Sequence, residues 1–121
     1  YDLHFLILVN AKEITHMERI ATCFKLKEGM QGEYKKRHDE IWSEMSKLMK
    51  KCGIKNYSIW NFDDLLFGYF EVEDFKKCQE ILNESTVKRD WDEYMSDIIE
   101  VKKNPKTGLP DNAKLMFLFD G

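Results

Sequence analysis

Hydrophobic and polar residues recur with two different periods along the chain, and these periods predict the order of the elements. Strict alternation predicts strands, and apolar positions three and four residues apart predict helices that bury one face. Gly53 lies where a left-handed residue commonly ends a helix. The predicted elements, in chain order, are a strand at 19–26, one long helix at 30–51, strands at 54–61 and 65–72, helices at 75–83 and 89–99, and a strand at 114–119.

The predicted order is βαββαβ, which is typical of a ferredoxin-like α+β sandwich. Two of its strands, "LLFGYFEV" at 65–72 and "LMFLF" at 115–119, are apolar on both sides. A sheet with one face in water should instead alternate with polar residues. We therefore expect the second face to pack against another chain, giving a homodimer of the dimeric α+β-barrel type. A small closed barrel within one chain is the alternative.

The first sixteen residues are treated separately. Their apolar run, Leu3 to Val9, is too short to span a bilayer and lacks the features of a secretory signal. Met17 precedes the first predicted strand. We expect residues 1–16 to be an upstream or artificially added extension and residues 17–121 to form a single domain, the competing interpretation being an added strand at Phe5 to Val9.

Composition and charge exclude several classes of protein. A length of 121 residues suits a single domain, and a net charge of −3 with a pI near 5.6 does not suit a protein that binds nucleic acid. No membrane association is predicted. Cys23, Cys52 and Cys78 are widely spaced and form no zinc or disulfide pattern, which favours a reducing compartment, the cytoplasm.

His38 is the residue whose position calls for a chemical explanation. It lies within the apolar stripe of the long predicted helix, one turn after Tyr34, so an imidazole and a phenol can meet in one pocket. Tyr57, in the second strand, and Trp91, in the last helix, can add aromatic walls suited to a sugar ring. The plainer interpretation is a core histidine bonded to a backbone carbonyl.

Other kinds of site have little support. His4, His16 and His38 are the only histidines, and two of them fall in the expected extension, so a metal site is not predicted. There is no glycine-rich nucleotide loop and no GxSxG motif. We expect a reaction without a cofactor, and proton transfer is the chemistry to which a histidine is suited at neutral pH.

The run "YKKRHDEIWSEM" from Tyr34 to Met45 closely resembles the helix signature of the L-rhamnose mutarotases. "NY" at 56–57 and "WDEYM" at 91–95 resemble later motifs of that family, at matching distances. The resemblance implies a small homodimeric, cofactor-free enzyme that interconverts the anomers of a 6-deoxy hexose. It further implies that His38 is the general acid and that Tyr34, Tyr57 and Trp91 contact the substrate.

Two positions depart from the family pattern. Asp92 stands where the family often has a second tryptophan, and it can either bind a sugar hydroxyl or solvate the start of a helix. Ser43 stands where a proline is usual, which should affect helix geometry more than chemistry. The alternative functions are a cofactor-free monooxygenase or isomerase of the same architecture and a non-catalytic module that binds a small ligand.

Overall fold

The computed structural model describes residues 17–100 and 112–121. Nine elements fall within these ranges, and they include four helices and an antiparallel sheet. The strands are β1 (Glu18–Leu26), β2 (Lys55–Phe62), β3 (Leu65–Val72), β4 (Ile99–Glu100) and β5 (Asn112–Ala113). The helices are α1 (Gln31–Asp39), α2 (Ser43–Lys51), α3 (Phe75–Glu84) and α4 (Thr86–Met95). The expected extension, residues 1–16, lies outside the described residues.

The sheet has the order β2-β3-β1-β4, and β5 also pairs with β1. Thr22 of β1 lies opposite Gly68 of β3, and Ser58 of β2 lies opposite Tyr69. β2 and β3 are joined by a two-residue turn at Asp63 and Asp64, shorter than the predicted connection, and Asp63 has a left-handed φ of 54°. This sheet with its helices confirms the predicted α+β class.

The helices cover one face of the sheet, because β3 directs alternate apolar side chains toward them. Leu66 and Val72 are almost fully buried, whereas Phe67, on the opposite face, is exposed. Most of the buried side chains form one core between this face and the helices: Ile20, Met45, Leu48, Cys52, Phe70, Val72, Cys78, Trp91, Met95 and Ile98.

The long helix predicted at 30–51 is wrong, since the structure has two helices there. α1 ends at Asp39, and Trp42 has extended backbone angles, φ −61° and ψ 139°. α1 has no fully buried residue, whereas α2 buries Met45 and Leu48, so the predicted stripe belongs to two helices with different environments. Ser43, where the family pattern has proline, is the first residue of α2, a position at which proline is compatible with a helix.

The strand predicted at 114–119 is also not formed in the single chain. β5 pairs Thr22 with Asn112 and Ala21 with Ala113, and the residues after it have no regular structure. The edge position next to β1 is shared by β4 and β5. Ile99 lies in β4 rather than in the last helix, because its backbone pairs with Leu26. No helix in the described parts of the chain is long and apolar enough to cross a membrane.

Candidate active site

A cavity of about 500 Å³ lies between α1 and the β2–β3 hairpin. α1 contributes Tyr34 and His38 to its lining, β2 contributes Ile59 and Asn61, and β3 contributes Leu66. The volume falls within the range of pockets that hold small organic ligands. The helix and the sheet edge thus form two walls, one carrying ionisable side chains and the other mainly apolar and amide groups.

His38 lies in the last turn of α1, and its ring is oriented by the backbone of the preceding turn. Its Nδ1 atom is 3.1 Å from the carbonyl oxygen of Tyr34. A carbonyl can only accept, so in the neutral ring Nδ1 carries the proton and Nε2 keeps a free lone pair. Burial lowers the pKa of His38, outweighing the opposing effects of the Tyr34 carbonyl and of Asp39. The resting imidazole is therefore neutral at pH 7 and can accept a proton at Nε2.

Tyr34 stacks on His38, with 4.2 Å between the ring centroids and 26° between the ring planes. Burial, reinforced by the nearby Tyr57, raises the pKa of the Tyr34 phenol. The phenol therefore stays protonated at physiological pH, and it can donate a hydrogen bond to a ligand oxygen. The two side chains that sequence reasoning paired on one helix face are in direct contact.

Tyr57 lies on β2 near Tyr34, but it is not among the residues that line the cavity, and its side chain is 45% exposed. The pairing register between β2 and β3 shifts between Lys55 and Ser58, and Asn56 there has a left-handed φ of 52°. Such a bulge re-aims the neighbouring side chain. The ring of Tyr57 packs 5.3 Å from that of Phe70, on the helix side of the sheet, and burial raises the pKa of its phenol. Tyr57 therefore faces the helix that carries the imidazole.

Trp91 contacts His38 but is a member of the core. Its side chain is 7% exposed, and its ring meets the imidazole edge-on at a centroid distance of 5.4 Å. Trp42 packs against it at 5.1 Å, also edge-on. Trp91 is not among the residues that line the cavity. In this structure it supports the imidazole, and its predicted contact with substrate stays a prediction.

Asp92 lies apart from the cavity. It is exposed on α4 and forms an ion pair with Lys88 one turn earlier. Such an exposed pair on one helix contributes only a few tenths of a kcal/mol. The structure does not bring this carboxylate to His38, so a role for Asp92 in substrate binding also stays a prediction.

Sequence reasoning missed the role of Arg37, which clamps α1 to the end of α4. Its guanidinium donates to the carbonyl oxygen of Tyr94 at 2.7 Å and to both carboxylate oxygens of Asp97 at 2.8 and 3.2 Å. Nε donates to Glu33 at 2.9 Å, and the guanidinium lies 4.6 Å from the ring centre of Tyr94. Arg37 lowers the pKa of Asp97, so this pair is charged at neutral pH. The residue beside the imidazole is thus fixed to a second helix.

The roles of Asn61 and Gln31 were also not predicted, because Asn61 lies beside a predicted turn and Gln31 lies at the start of a predicted helix. Asn61 donates through Nδ2 to the carbonyl oxygens of Asp63 and Leu65, both at 2.9 Å, and Gln31 donates to that of Asp63 at 2.7 Å. These bonds fix the hairpin turn to α1 at one end of the cavity. Within residues 17–100 and 112–121, no cluster of three or more His, Cys, Asp or Glu side chains is placed to hold a metal ion.

The fold and the cavity define an α+β sandwich protein in which a histidine and a tyrosine line a cavity of small-molecule size. The model of the L-rhamnose mutarotase family matches residues 19–120. Because this match spans most of the chain, the chain belongs to the L-rhamnose mutarotase family. It is accordingly an enzyme of the isomerase class.

Individual relatives agree with this assignment. The chain is 38% identical over 104 residues to an L-rhamnose mutarotase of Listeria monocytogenes serovar 1/2a, covering 84% of this chain and 99% of the relative. It is 44% identical, with the same coverage, to the L-rhamnose mutarotase of L. monocytogenes serotype 4b.

Two solved structures share the fold. The crystal structure of an L-rhamnose mutarotase from Formosa agariphila has a TM-score of 0.67 and 32% identity, covering 84% of this chain and 96% of that one. Tetracenomycin F2 cyclase from Streptomyces glaucescens has a TM-score of 0.63, covering 86% of this chain and 98% of that one, but only 11% identity. The second likeness therefore concerns the fold alone.

Proposed function

We propose that the enzyme interconverts the α and β anomers of L-rhamnose, or of a related 6-deoxy hexose, in the cavity between α1 and the β2–β3 hairpin. The observation that carries the proposal is the orientation of His38: its Nδ1 is bonded to the Tyr34 carbonyl, which leaves Nε2 for the substrate. The activity named for the relatives, together with a cavity of about 500 Å³, supports a monosaccharide as the ligand.

The reaction needs one proton to leave the anomeric hydroxyl and one to reach the ring oxygen. We assign both transfers to His38, since a neutral imidazole accepts a proton and the resulting imidazolium is the general acid. The C1–O5 bond then breaks and C1 becomes an aldehyde. Rotation about C1–C2 followed by the reverse proton transfers closes the ring as the other anomer, so that no proton or electron is gained or lost overall.

The neighbouring aromatic residues are proposed to hold the sugar. The phenols of Tyr34 and Tyr57 stay protonated because burial raises their pKa values, so both can donate to sugar hydroxyls. Trp91 is proposed to contact substrate at the back of the imidazole, which requires an opening of its present core packing. Asp92 is proposed to bind a sugar hydroxyl, which requires its carboxylate to leave the ion pair with Lys88.

The enzyme is further proposed to act as a homodimer in the cytoplasm. The support for a dimer is the outer face of the sheet, where Trp60, Phe62 and Phe67 are exposed together on neighbouring strands. A face of this kind is characteristic of an interaction surface. The support for the cytoplasm is that Cys23, Cys52 and Cys78 are free thiols.

The test of the activity is the rate at which a single anomer reaches equilibrium. Crystalline α-L-rhamnose is dissolved in the cold with and without enzyme, and optical rotation is followed, with L-fucose and D-mannose in parallel. We expect the enzyme to accelerate L-rhamnose most, because its relatives act on that sugar by name. Rates equal to those of buffer for all three sugars would overturn the proposal, and acceleration of L-fucose alone would correct the substrate.

A further inference from the structure

Two amide side chains, Gln31 of α1 and Asn61 of β2, lie at the end of the cavity where the hairpin turn meets the helix. Both donate to the same atom, the carbonyl oxygen of Asp63, at 2.7 and 2.9 Å. Asn61 also donates to the carbonyl oxygen of Leu65 at 2.9 Å. A carbonyl oxygen can only accept, so these partners determine which end of each amide is the nitrogen. The side-chain oxygens, Oε1 and Oδ1, therefore face away from these bonds.

These two amide oxygens are acceptors that receive no donor from the part of the chain that the structure describes. Both hydrogens of the Asn61 amide nitrogen are used, whereas its oxygen keeps its acceptor capacity. Neighbouring polar groups of the lining are already engaged: Lys35 donates to Asp39 at 2.7 Å, and the Trp60 indole donates to Ser58 at 3.0 Å. This end of the cavity thus carries fixed acceptors whose partner must be a ligand or water.

The amide end of the cavity lies about two helical turns from the imidazole. Gln31, Tyr34 and His38 are spaced by three and four residues, so they share one face of α1. Gln31 and His38 are separated by roughly 10 Å along the helix axis, at about 1.5 Å per residue. A pyranose ring with a hydrogen bond of about 2.8 Å at either end has a comparable length. A sugar whose anomeric carbon lies at His38 therefore brings its far hydroxyls, at C3 and C4, to the amide oxygens.

We propose that Asn61 and Gln31 are specificity-determining residues whose amide oxygens accept hydrogen bonds from the sugar hydroxyls at C3 and C4. The inference rests on the proposed function, and it adds the chemistry that recognises the far end of the sugar. Every sugar hydroxyl carries a hydrogen that needs an acceptor when the sugar leaves water. The phenol of Tyr34 donates near the reacting carbon and the amide oxygens accept at the other end, so together they fix the direction in which the sugar lies.

The hairpin turn holds the amide oxygens in place before a sugar binds. Asp63 has a left-handed φ of 54°, and the carbonyl oxygen of Asp64 accepts from the backbone amide of Leu26 at 2.6 Å, which anchors the turn to β1. A side chain that is already ordered loses little conformational freedom on binding. A deoxy sugar leaves one of these acceptors without its partner, which is how such a site discriminates. Asn61 is exposed, so water can replace a missing hydroxyl and the discrimination should be modest.

The test compares L-rhamnose with its 3-deoxy and 4-deoxy analogues in wild-type enzyme, Asn61→Ala and Gln31→Ala. Exchange between the anomers gives kcat/KM, and saturation-transfer difference signals give the Kd of each sugar. We expect each deoxy sugar to lose roughly fivefold in kcat/KM and in affinity with wild type, the size of one neutral hydrogen bond. Each variant should lose as much with L-rhamnose, and should lose nothing further with one of the two deoxy sugars. Asn83→Ala, at an exposed asparagine of α3, is the matched control and should behave as wild type.

The outcomes separate sugar recognition by the amides from the activity. The ratio between two sugars within one variant does not depend on how much of that protein is folded, so losses that multiply for both deoxy sugars overturn the inference. Unchanged kinetics and affinity in Asn61→Ala and Gln31→Ala also overturn it and leave the proposed function. Wild type that binds L-rhamnose with the expected dependence on the amides, but exchanges its anomers no faster than buffer, overturns the function and leaves the inference. Neither binding nor exchange overturns both.

Discussion

The close approach of β1 and β3 at Gly68 gives a quantitative test of the sheet behind the site. A Cβ atom at Gly68 would lie 2.6 Å from Oγ1 of Thr22, closer than real Cβ contacts, and 3.8 Å from Cε1 of Tyr57, an ordinary contact. Gly68→Ala should therefore push β1 from β3 and cost about 1–3 kcal/mol, as overpacking does. Alanine also restricts the unfolded chain, which stabilises by roughly 0.4–1 kcal/mol. The clash is the larger effect, so the variant should be less stable.

The assay is urea unfolding at one fixed protein concentration, for wild type, Gly68→Ala, Thr22→Ala and the double variant. Removing the Thr22 hydroxyl leaves its Cβ 4.0 Å from the new methyl group, an ordinary distance. The double variant should therefore recover most of the loss, a coupling of about 1–3 kcal/mol. A Gly68→Ala variant as stable as wild type, or additive losses in the double variant, would refute the register of Thr22 against Gly68.

Three further predictions concern the site itself. Activity should be level from pH 7 to 8. It should fall about tenfold per pH unit once the pH drops below the His38 pKa, which burial places under 6.5, because the imidazolium cannot accept a proton. A rate that falls as the pH rises from 6 to 8 would contradict a neutral resting imidazole. Trp91→Ala should lower the free energy of unfolding by about 3–5 kcal/mol in urea, since the side chain is 7% exposed, and a loss below about 1 kcal/mol would contradict its place in the core. Arg37→Lys should reduce kcat roughly tenfold or more with little change in KM. The reason is that an ammonium group cannot make the two parallel hydrogen bonds to Asp97 that hold α1 against α4. Unchanged kinetics would show that these bonds do not position His38.

Most of the architecture could be predicted because the strand patterns are clear. The alternation in β1 reports burial on one face directly, β3 is a continuous apolar run with only one charged residue, and both strands lie within one residue of their predicted limits. The contact between Tyr34 and His38 could be predicted from helical spacing, because the two residues lie one turn apart on α1. The end of the helix at Asp39 does not affect this contact.

The parts that could not be predicted depend on contacts between distant segments. The break after α1 has no glycine or proline to mark it, and Trp42 adopts its extended backbone where its ring packs on Trp91. Arg37 looked like one charge among several in "YKKRHD", and only the approach of α4 shows that it binds Asp97. The segment 114–119 has a strand pattern that a single chain does not satisfy.

The most direct test of the central claim is exchange between the anomers of L-rhamnose at equilibrium, measured by NMR saturation transfer between the two anomeric protons. Wild-type enzyme is compared with His38→Ala, with sugar binding monitored in the same tubes by saturation-transfer difference signals. We expect exchange far above the buffer rate with wild type, and a loss of about 10²-fold or more in the variant while binding persists. Exchange at the wild-type rate in His38→Ala would place the proton transfer elsewhere and contradict the account.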